Sequence, residues 1–199
     1  MIYLYGAGGH AKVIAEILER NGIAIAGFFD DNPSKKIWNY TGFTFPGPFN
    51  LADDELIISI GNNSIRKMIA EKINANYYTA IHPSAIVSTH TVIGAGTVVM
   101  GGALINADTN IGKHCIVNSS ASVDHDCRLG DFVHISPKAT LCGGVEVGDG
   151  AHIGAGAVII PGIKIGSNAV IGAGSLVSKD IRDNVVAVGN PARIIKQNL

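Results

Sequence analysis

The amino-acid sequence predicts an α/β domain with a small parallel sheet, followed by an all-β domain that forms a parallel β-helix. Residues 1 to about 80 alternate short apolar runs with segments of helical spacing, which is typical of a parallel sheet covered by helices. From about residue 81 an aliphatic residue recurs at every sixth position. Most of the 25 glycines in the 199-residue chain follow residue 90, so the composition changes where the periodicity does.

The N-terminal half begins with a strand, a glycine-rich turn and a helix. The run IYLY (2–5) predicts the strand, and apolar residues within 14–18 then stand at helical spacing. The run 23–29 predicts a second strand, which ends at the turn cluster DDNP (30–33) because proline cannot continue it. LIISI (56–60) predicts a further strand. Another helical face follows it, with Ile65, Met68, Ile69 and Ile73.

The C-terminal half keeps a strict six-residue period. The aliphatic residues are Val87, Ile93, Val99, Ile105, Ile111, Val117, Val123, Leu129, Ile135, Leu141, Val147, Ile153, Ile159, Ile165, Ile171 and Val177. Glycine recurs every eighteen residues, at Gly94, Gly112, Gly130, Gly148 and Gly166. Three hexads per coil predict a triangular prism of about five coils, and we attribute the glycine column to backbone strain at one corner. A β-sandwich has no reason to keep this register.

Charge, cysteine content and hydropathy exclude several classes of protein. The net charge is −1 and the basic residues are dispersed, which argues against a nucleic-acid partner. Three cysteines without a CxxC pair argue against a disulfide framework and a zinc site. No run of about 18 apolar residues and no basic leader are present. We therefore expect a cytoplasmic protein that does not enter the membrane.

The segment SVDHDC (122–127) places a histidine between two carboxylates inside this aliphatic repeat. His125 lies two positions past the inward Val123, so its ring is expected to point outward at a corner. Either Asp124 or Asp126 could fix the tautomer of the ring and make it a stronger base. A solvated corner without function is the alternative. Small residues are expected above and below the ring, since its column contains Ala107, His125, Gly143 and Pro161.

Other candidate groups carry weaker signals. His134 points outward on a face, with His152 one coil later, and a metal site at this pair is less expected than a hydrogen bond to a ligand. Cys115 and Cys127 occupy inward positions, where a thiol is poorly reactive. Cys142 points outward but has no adjacent histidine in the sequence. Direct acyl transfer is therefore favoured over a thioester with the enzyme.

The segment GAGGHA (6–11) lies between the first strand and the first helix. Its glycines leave backbone N–H groups free at a helix N-terminus, which suits a phosphate or diphosphate. The third glycine of a dinucleotide fingerprint is replaced by Ala11, and Asp30 fits either a ribose hydroxyl or a turn cap. A nicotinamide cofactor and a plain tight turn remain alternatives.

Over its whole length the chain resembles the left-handed parallel β-helix acyltransferases, which transfer acetyl groups from acetyl-CoA. GAGGHAKV, FFDDNP and ISIGNNSIRKMIAEKI resemble the subgroup that acetylates nucleotide-linked amino sugars and sialic acids. IGNNSIRK, NSSASVDHD and VGNPAR are most similar to bacillosamine-type UDP-4-amino-sugar N-acetyltransferases.

This resemblance implies a role for each candidate residue. His125 is the general base, and Asp126 raises its basicity. The acetyl-CoA path contains His134, Ala155 and Ala173. The nucleotide-sugar is held by Gly8, Gly9, His10, Asp30, Asp31 and Gly61. A homotrimer with the coenzyme between prisms is also implied, and no long loop interrupts the hexads to enclose His125 within one subunit.

We therefore predict a Rossmann-like nucleotide-sugar-binding domain (1–80), a left-handed β-helix acetyltransferase domain (81–183) and a C-terminal tail (184–199). The predicted reaction moves acetyl from acetyl-CoA to the 4-amino group of a nucleotide-diphospho-4-amino-4,6-dideoxysugar. It needs no metal and no acyl-enzyme. The alternatives are a sialic-acid O-acetyltransferase, a non-catalytic protein that binds nucleotide-sugars, and a dehydrogenase.

Overall fold

The N-terminal part of the fold is a five-stranded parallel sheet in the order β3-β2-β1-β4-β5. The computed structural model describes residues 1–50 and 52–198. The predicted strands and helices of this half are confirmed. In chain order the elements are β1 (Ile2–Tyr5), α1 (Gly9–Arg20), β2 (Ile25–Phe29), β3 (Gly42–Phe43), β4 (Glu55–Ile58), α2 (Asn63–Lys72) and β5 (Asn76–Tyr77).

The β-helix contains two-residue parallel strands that repeat in threes. They are β6 (Ala80–Ile81), β7 (Ile86–Val87), β8 (Val92–Ile93), β9 (Val98–Val99), β10 (Leu104–Ile105), β11 (Asn110–Ile111), β12 (Ile116–Val117), β13 (Ser122–Val123), β14 (Arg128–Leu129), β15 (His134–Ile135), β16 (Thr140–Leu141), β17 (Glu146–Val147), β18 (His152–Ile153), β19 (Val158–Ile159), β20 (Lys164–Ile165), β21 (Val170–Ile171) and β22 (Leu176–Val177). β23 (Val185–Gly189) extends the first face, and β24 (Ala192–Gln197) pairs antiparallel with it.

Every third strand belongs to the same face of a triangular prism. Face 1 begins with β6, face 2 with β7 and face 3 with β8. We name the corners by the faces that they join, in chain order: corner 1–2, corner 2–3 and corner 3–1. Face 2 has six strands, so the prism has about six coils, one more than the glycine column predicted. The second residue of each strand points inward and builds a continuous aliphatic core, as the hexads predicted.

The glycine column at corner 3–1 has a different cause from the one that we predicted. None of its glycines has a positive φ. A Cβ at Gly94 would instead lie 2.6 Å from the carbonyl carbon of Gly112, one coil later. The left-handed residues at this corner are found two positions further along, including His114 (φ 53°) and Phe132 (φ 61°). Close approach between coils therefore excludes side chains here, and the attribution to backbone strain was wrong.

The N-terminal part covers face 1. Ile14 and Leu18 of α1 belong to one buried cluster with Val98 and Ile116, whose side chains point outward from that face. On α2, Ile69 is buried but Met68 is 46% exposed. The helical face predicted for α2 is thus only half buried, because its other half borders a cavity. No helix in the described part of the chain is both long and apolar enough to cross a membrane.

Candidate active site

The corner between β13 and β14 presents His125 to the outside. Asp126 adopts a left-handed conformation (φ 61°), which aspartate tolerates, and its N–H donates to the carbonyl of Ala107 one coil earlier at 3.1 Å. The turn is therefore fixed by the coil beneath it. The His125 side chain is 61% exposed, so its ring is held by only a few contacts.

Both carboxylates of this corner bind His125, but at different atoms. Nδ1 of the ring lies 2.7 Å from Oδ2 of Asp126, whereas Oδ1 of Asp124 accepts the backbone N–H of His125 at 2.8 Å. Asp124 is held in turn by Nδ2 of Asn106 at 2.8 Å. The hydrogen bond that the ring makes to the carboxylate of Asp126, followed by the charge of Asp124, raises the pKa of His125. Asp126 is thus the partner of the ring, and Nε2 is left free to accept a proton.

The ring of His125 lies over Gly143, one coil later. A Cβ at position 143 would be 2.7 Å from Cε1 and 2.8 Å from Nε2 of the ring. Small column neighbours were predicted to leave room for a reactant beside the ring. The ring of His125 itself fills the space beside Gly143. The absence of a side chain at Gly143 therefore determines which positions the ring can adopt.

Replacing Asp126 with asparagine is expected to lower the pKa of His125, because the ring loses an anionic partner while the left-handed turn is kept. The predicted general base must be unprotonated, so kcat/KM is expected to rise with pH through this pKa. The rising limb should therefore move to lower pH in Asp126→Asn, with a lower plateau. A profile of kcat/KM from about pH 5 to about pH 9 measures this. An unmoved limb would show that Asp126 does not tune the base.

Glycines at the carboxyl ends of β1 and β4 form an open backbone surface. These two strands are neighbours in the parallel sheet, and such an edge is where ligands bind in open α/β sheets. A Cβ at Gly8, Gly9 or Gly61 would meet no atom within 4 Å, and none of the three has a positive φ. Neither packing nor backbone conformation requires these glycines, which is the pattern expected where a ligand approaches the main chain.

Gly6 differs from these glycines and provides a matched control. It has φ 101°, and a Cβ there would lie 2.7 Å from Cγ1 of Ile60. Gly61→Ala should therefore keep the melting temperature and raise the KM for the predicted nucleotide-sugar substrate about tenfold, whereas Gly6→Ala should lower the melting temperature. Thermal unfolding and steady-state kinetics check both. An unchanged KM in Gly61→Ala would remove Gly61 from the binding site.

The two aspartates after β2 have different environments. Oδ2 of Asp30 accepts the N–H of Ala7 at 2.8 Å, and Oδ1 accepts the N–H of Asn32 at 2.9 Å. Asp30 thus caps the glycine-rich turn. Asp31 is exposed. Both border a cavity of about 250 Å³ whose wall also contains Tyr5, Ile65, Met68 and Lys72. The exposed apolar residues of α2 therefore line this cavity.

His10 and His134 are neutral imidazoles near the junction of the two halves. Burial, and then the charge of Arg66, lowers the pKa of His10 to about 4. Burial, and then electrostatic repulsion from His152, lowers the pKa of His134 to about 3. Nε2 of His10 and Nδ1 of His134 are buried without a hydrogen-bond partner. Both rings are therefore poor bases. The polar atom of His10 is available, whereas the main chain of Gly61 approaches the His134 ring closely enough to raise its pKa against these effects.

Asn118 fixes the tautomer of His134, and sequence reasoning had given it no role. Its Oδ1 accepts the N–H of Ser119 at 2.8 Å, so its NH₂ group faces Nε2 of His134 at 3.1 Å. Nε2 must then accept, which leaves the proton on Nδ1. The ring of His152 stacks on His134 at 4.7 Å. Within the described residues no group of three or more potential ligands could hold a metal ion.

The predicted coenzyme residues Ala155 and Ala173 follow face 1 at corner 1–2. They belong to successive coils, and the N–H of Gly174 donates to the carbonyl of Ala155 at 2.8 Å. Glycine flanks each of them on both sides, at Gly154, Gly156, Gly172 and Gly174. The surface of corner 1–2 in these two coils therefore consists mainly of main-chain atoms.

The structure divides the predicted site residues of one chain into two groups. We call Asp124, His125 and Asp126 the base corner; it lies at corner 2–3, the one corner that does not border face 1. We call the second group the substrate side; it lies on face 1, at corner 1–2 and on the N-terminal sheet that covers face 1. Its members are Gly8, Gly9, His10, Asp30, Asp31, Gly61, His134, Ala155 and Ala173. The prism separates the two groups.

Comparison with known proteins supplies a family for this architecture. Residues 1–73 match the PglD N-terminal domain family, and residues 126–161 and 144–179 match the bacterial transferase hexapeptide (six repeats) family. A solved variant of perosamine N-acetyltransferase from Caulobacter crescentus, in complex with CoA and GDP-perosamine, is 38% identical, with a TM-score of 0.93 over 98% of this chain and 97% of that chain. The chain belongs to this N-acetyltransferase family. The predicted family and its left-handed parallel β-helix are thereby confirmed.

Two further members of the family are similar to this chain. The acetyltransferase domain of PglB from Neisseria gonorrhoeae FA1090 is 36% identical, with a TM-score of 0.92 and 98% of both chains covered; it has also been solved in complex with acetyl coenzyme A. The UDP-N-acetylbacillosamine N-acetyltransferase of Bacillus subtilis (strain 168) is 47% identical over 110 residues, 50% of this chain and 50% of that protein. The match therefore spans half the length of this curated relative.

Proposed function

We propose that this protein transfers the acetyl group of acetyl-CoA to the 4-amino group of a nucleotide-linked 4-amino-4,6-dideoxysugar. His125 serves as general base, and no acyl-enzyme forms. The observation that carries the proposal is the His125–Asp126 pair at 2.7 Å, which leaves Nε2 free, on the fold of relatives solved with CoA and GDP-perosamine. N-acetylation is preferred over sialic-acid O-acetylation because these relatives are named N-acetyltransferases.

The chemical step is a direct transfer between the two substrates. The amine nitrogen attacks the thioester carbonyl carbon, and Nε2 of His125 takes a proton from that nitrogen. The tetrahedral intermediate then collapses, the C–S bond breaks, and CoA leaves as the thiolate, which takes up a proton. Asp126 stabilises the imidazolium that exists between these steps.

The cysteines of this chain are unsuited to forming a thioester. Burial raises the pKa of Cys115 to about 12 and also raises the pKa of Cys127. The thiolate is the nucleophilic form, so neither residue can react readily. Cys142 is partly exposed, but the hydrogen bonds of the described residues include none between its thiol and His125.

A homotrimer completes the site in this proposal. The base corner and the substrate side face away from each other in one chain, so His125 of one subunit must meet the substrate side of another. Face 2 offers a contact surface, since Ile86 is 69% exposed and Val158 is 37% exposed at its outward positions. Cyclic symmetry then repeats the same contact around the ring and yields three equivalent sites.

We assign the nucleotide-sugar to residues 1–80, acetyl transfer to residues 81–183, and an accessory strand pair to the tail (184–199). Gly8, Gly9 and Gly61 provide backbone contacts for the diphosphate, and the cavity beside Asp31 takes the nucleoside. We assign the reaction to glycan biosynthesis in the cytoplasm.

The test is release of CoA thiol from acetyl-CoA with UDP- and GDP-linked 4-amino sugars, offered in parallel with sialic acid. Rapid release with an amino sugar alone supports the proposal. Rapid release with sialic acid alone identifies an O-acetyltransferase instead. Binding of a nucleotide-sugar without thiol release from any acceptor would identify a non-catalytic binding protein, and a rise in melting temperature with NAD would favour a dehydrogenase.

A further inference from the structure

Arg66 is a buried cation without an anionic partner. It is 1% exposed, and no carboxylate of the described chain forms an ion pair with it. Burial lowers its pKa to about 10, so it remains charged at neutral pH. It lies in the first turn of α2, where the helix dipole also disfavours a cation. Both costs must be offset by its hydrogen bonds.

The guanidinium satisfies its donors with five neutral oxygen atoms from two parts of the fold. Nε donates to the carbonyl of His114 at 2.7 Å, and Nη2 donates to that of Phe132 at 2.9 Å. Nη1 donates to the carbonyls of Ile60 at 3.1 Å and Gly61 at 3.3 Å, and Nη2 also reaches Oδ1 of Asn63 at 2.8 Å. One planar group thus joins the β4–α2 loop to two successive coils.

The carbonyls on the β-helix side come from the left-handed residues of corner 3–1. The N–H groups of His114 and Phe132 donate to the coil before them, at 2.9 Å and 2.8 Å. Their carbonyls face α2 and accept from Arg66. The next residue of the same column, Gly150, accepts from Nδ2 of Asn63 at 3.0 Å. Arg66 and Asn63 therefore contact three successive coils and fix α2 along the prism axis.

The hydrogen bonds of Arg66 reach residues beside the proposed site in both the N-terminal domain and the β-helix. Gly61 belongs to the proposed nucleotide-sugar loop, and Phe132 precedes His134 by two residues. We propose that Arg66 is a positioning residue that sets the distance between the nucleotide-sugar loop at Gly61 and the acetyl-transfer centre beside His134. This inference rests on the proposed function. A lysine can replace it only in part, because a point charge cannot span two coils and the loop together.

The test compares Arg66→Met and Arg66→Lys with the control Lys67→Met. Lys67 is the next residue of the helix, and its side chain is 53% exposed. We expect Arg66→Met to lower kcat at saturating substrates about 100-fold, the effect of a misplacement of about 1 Å. The Kd values of CoA and of UDP or GDP, measured by calorimetry, should change less than about threefold. Arg66→Lys should give an intermediate kcat, and Lys67→Met should match the wild type.

Two results would overturn the proposal. One is a kcat within about threefold of the wild type in folded Arg66→Met. The other is a parallel weakening of kcat and both Kd values, which would mean that Arg66 only maintains the fold. If Arg66→Met does not fold, the same measurements on Arg66→Lys and Asn63→Ala decide between these outcomes.

A separate readout distinguishes failure of this inference from failure of the proposed function. If the wild type binds CoA and a nucleoside diphosphate but transfers no acetyl group, the proposed function fails. Amide hydrogen exchange still tests the positioning role, because Arg66→Met should speed exchange at residues 60–63 and leave β15 protected. Unchanged exchange at 60–63 would contradict it.

Discussion

Replacing His125 with alanine is expected to lower kcat by about 10² to 10⁴, the usual contribution of a positioned general base. The only hydrogen bond of the ring within the described chain is to Asp126, and the side chain is 61% exposed. Its loss should therefore leave the melting temperature and the oligomeric state unchanged. Steady-state kinetics at saturating acetyl-CoA and nucleotide-sugar measure the effect.

His90 supplies the matched control for this substitution. It is an exposed histidine at the same corner 2–3, two coils earlier. His90→Ala should retain wild-type kcat, which separates the loss of the base from the loss of any exposed imidazole. If His125→Ala keeps more than about a tenth of wild-type kcat, the base has been assigned to the wrong residue.

Replacing Gly143 with alanine is expected to lower kcat about 100-fold without unfolding the protein, because the new Cβ would stand 2.7 Å from Cε1 of His125. The ring is exposed and can move away from the new Cβ. The substitution should therefore displace the base and lower kcat, while the melting temperature stays near that of the wild type. Nε2 of the ring, 2.8 Å from the same Cβ, must be displaced with it. Kinetics and thermal unfolding of the variant separate these two effects.

A double-mutant cycle identifies the cause of this loss. Gly143 acts through His125 in our account, so Gly143→Ala should cost nothing further in a His125→Ala background. Additive losses in the double variant would show that Gly143 affects the reaction independently, for example through the coil that contains Cys142. The prediction would then be wrong even if the single variant were slow.

Most of the fold could be predicted from the sequence because it depends on local periodicity. The six-residue register alone determines which residues point inward, and all hexad residues from Val99 to Val177 are buried. The cause of the glycine column could not be predicted, because it depends on the distance between coils rather than on any one turn. Likewise, Ile65 and Met68 have helical spacing but line a cavity instead of the core.

The candidate site was predictable in composition but not in arrangement. The segment DHD identified His125, yet only the structure separates the roles of Asp124 and Asp126, since the left-handed turn at Asp126 directs its carboxylate to the ring. Asn118 and Arg66 were missed, because the β-helix partners that give them their roles are distant in sequence. His134 lies 16 residues from Asn118, and Phe132 lies 66 residues from Arg66.

One signal in the sequence limits which faces of the prism the N-terminal domain could cover. The outward residues of the early face 1 strands are apolar, as at Val98 and Ile116, whereas those of face 3 include Arg128, Glu146 and Lys164. An apolar outward row predicts a covered face. The outward row of face 2 is also largely apolar, with Ile86, Leu104, Val158 and Leu176. The three rows, compared with one another, therefore argue only against face 3 as the covered face.

In the proposed homotrimer, His125 of one subunit acts on substrates held by another. Two inactive variants test it: His125→Ala removes the base, and Gly61→Val fills the open space of the nucleotide-sugar loop. Co-expressed and purified as mixed trimers, they should regain about a quarter of wild-type kcat. In random assembly about one subunit contact in four brings an intact His125 to a neighbour with an intact Gly61. If the mixed trimers stay as inactive as either parent, each site is built within a single chain, and His125 does not act across the subunit contact.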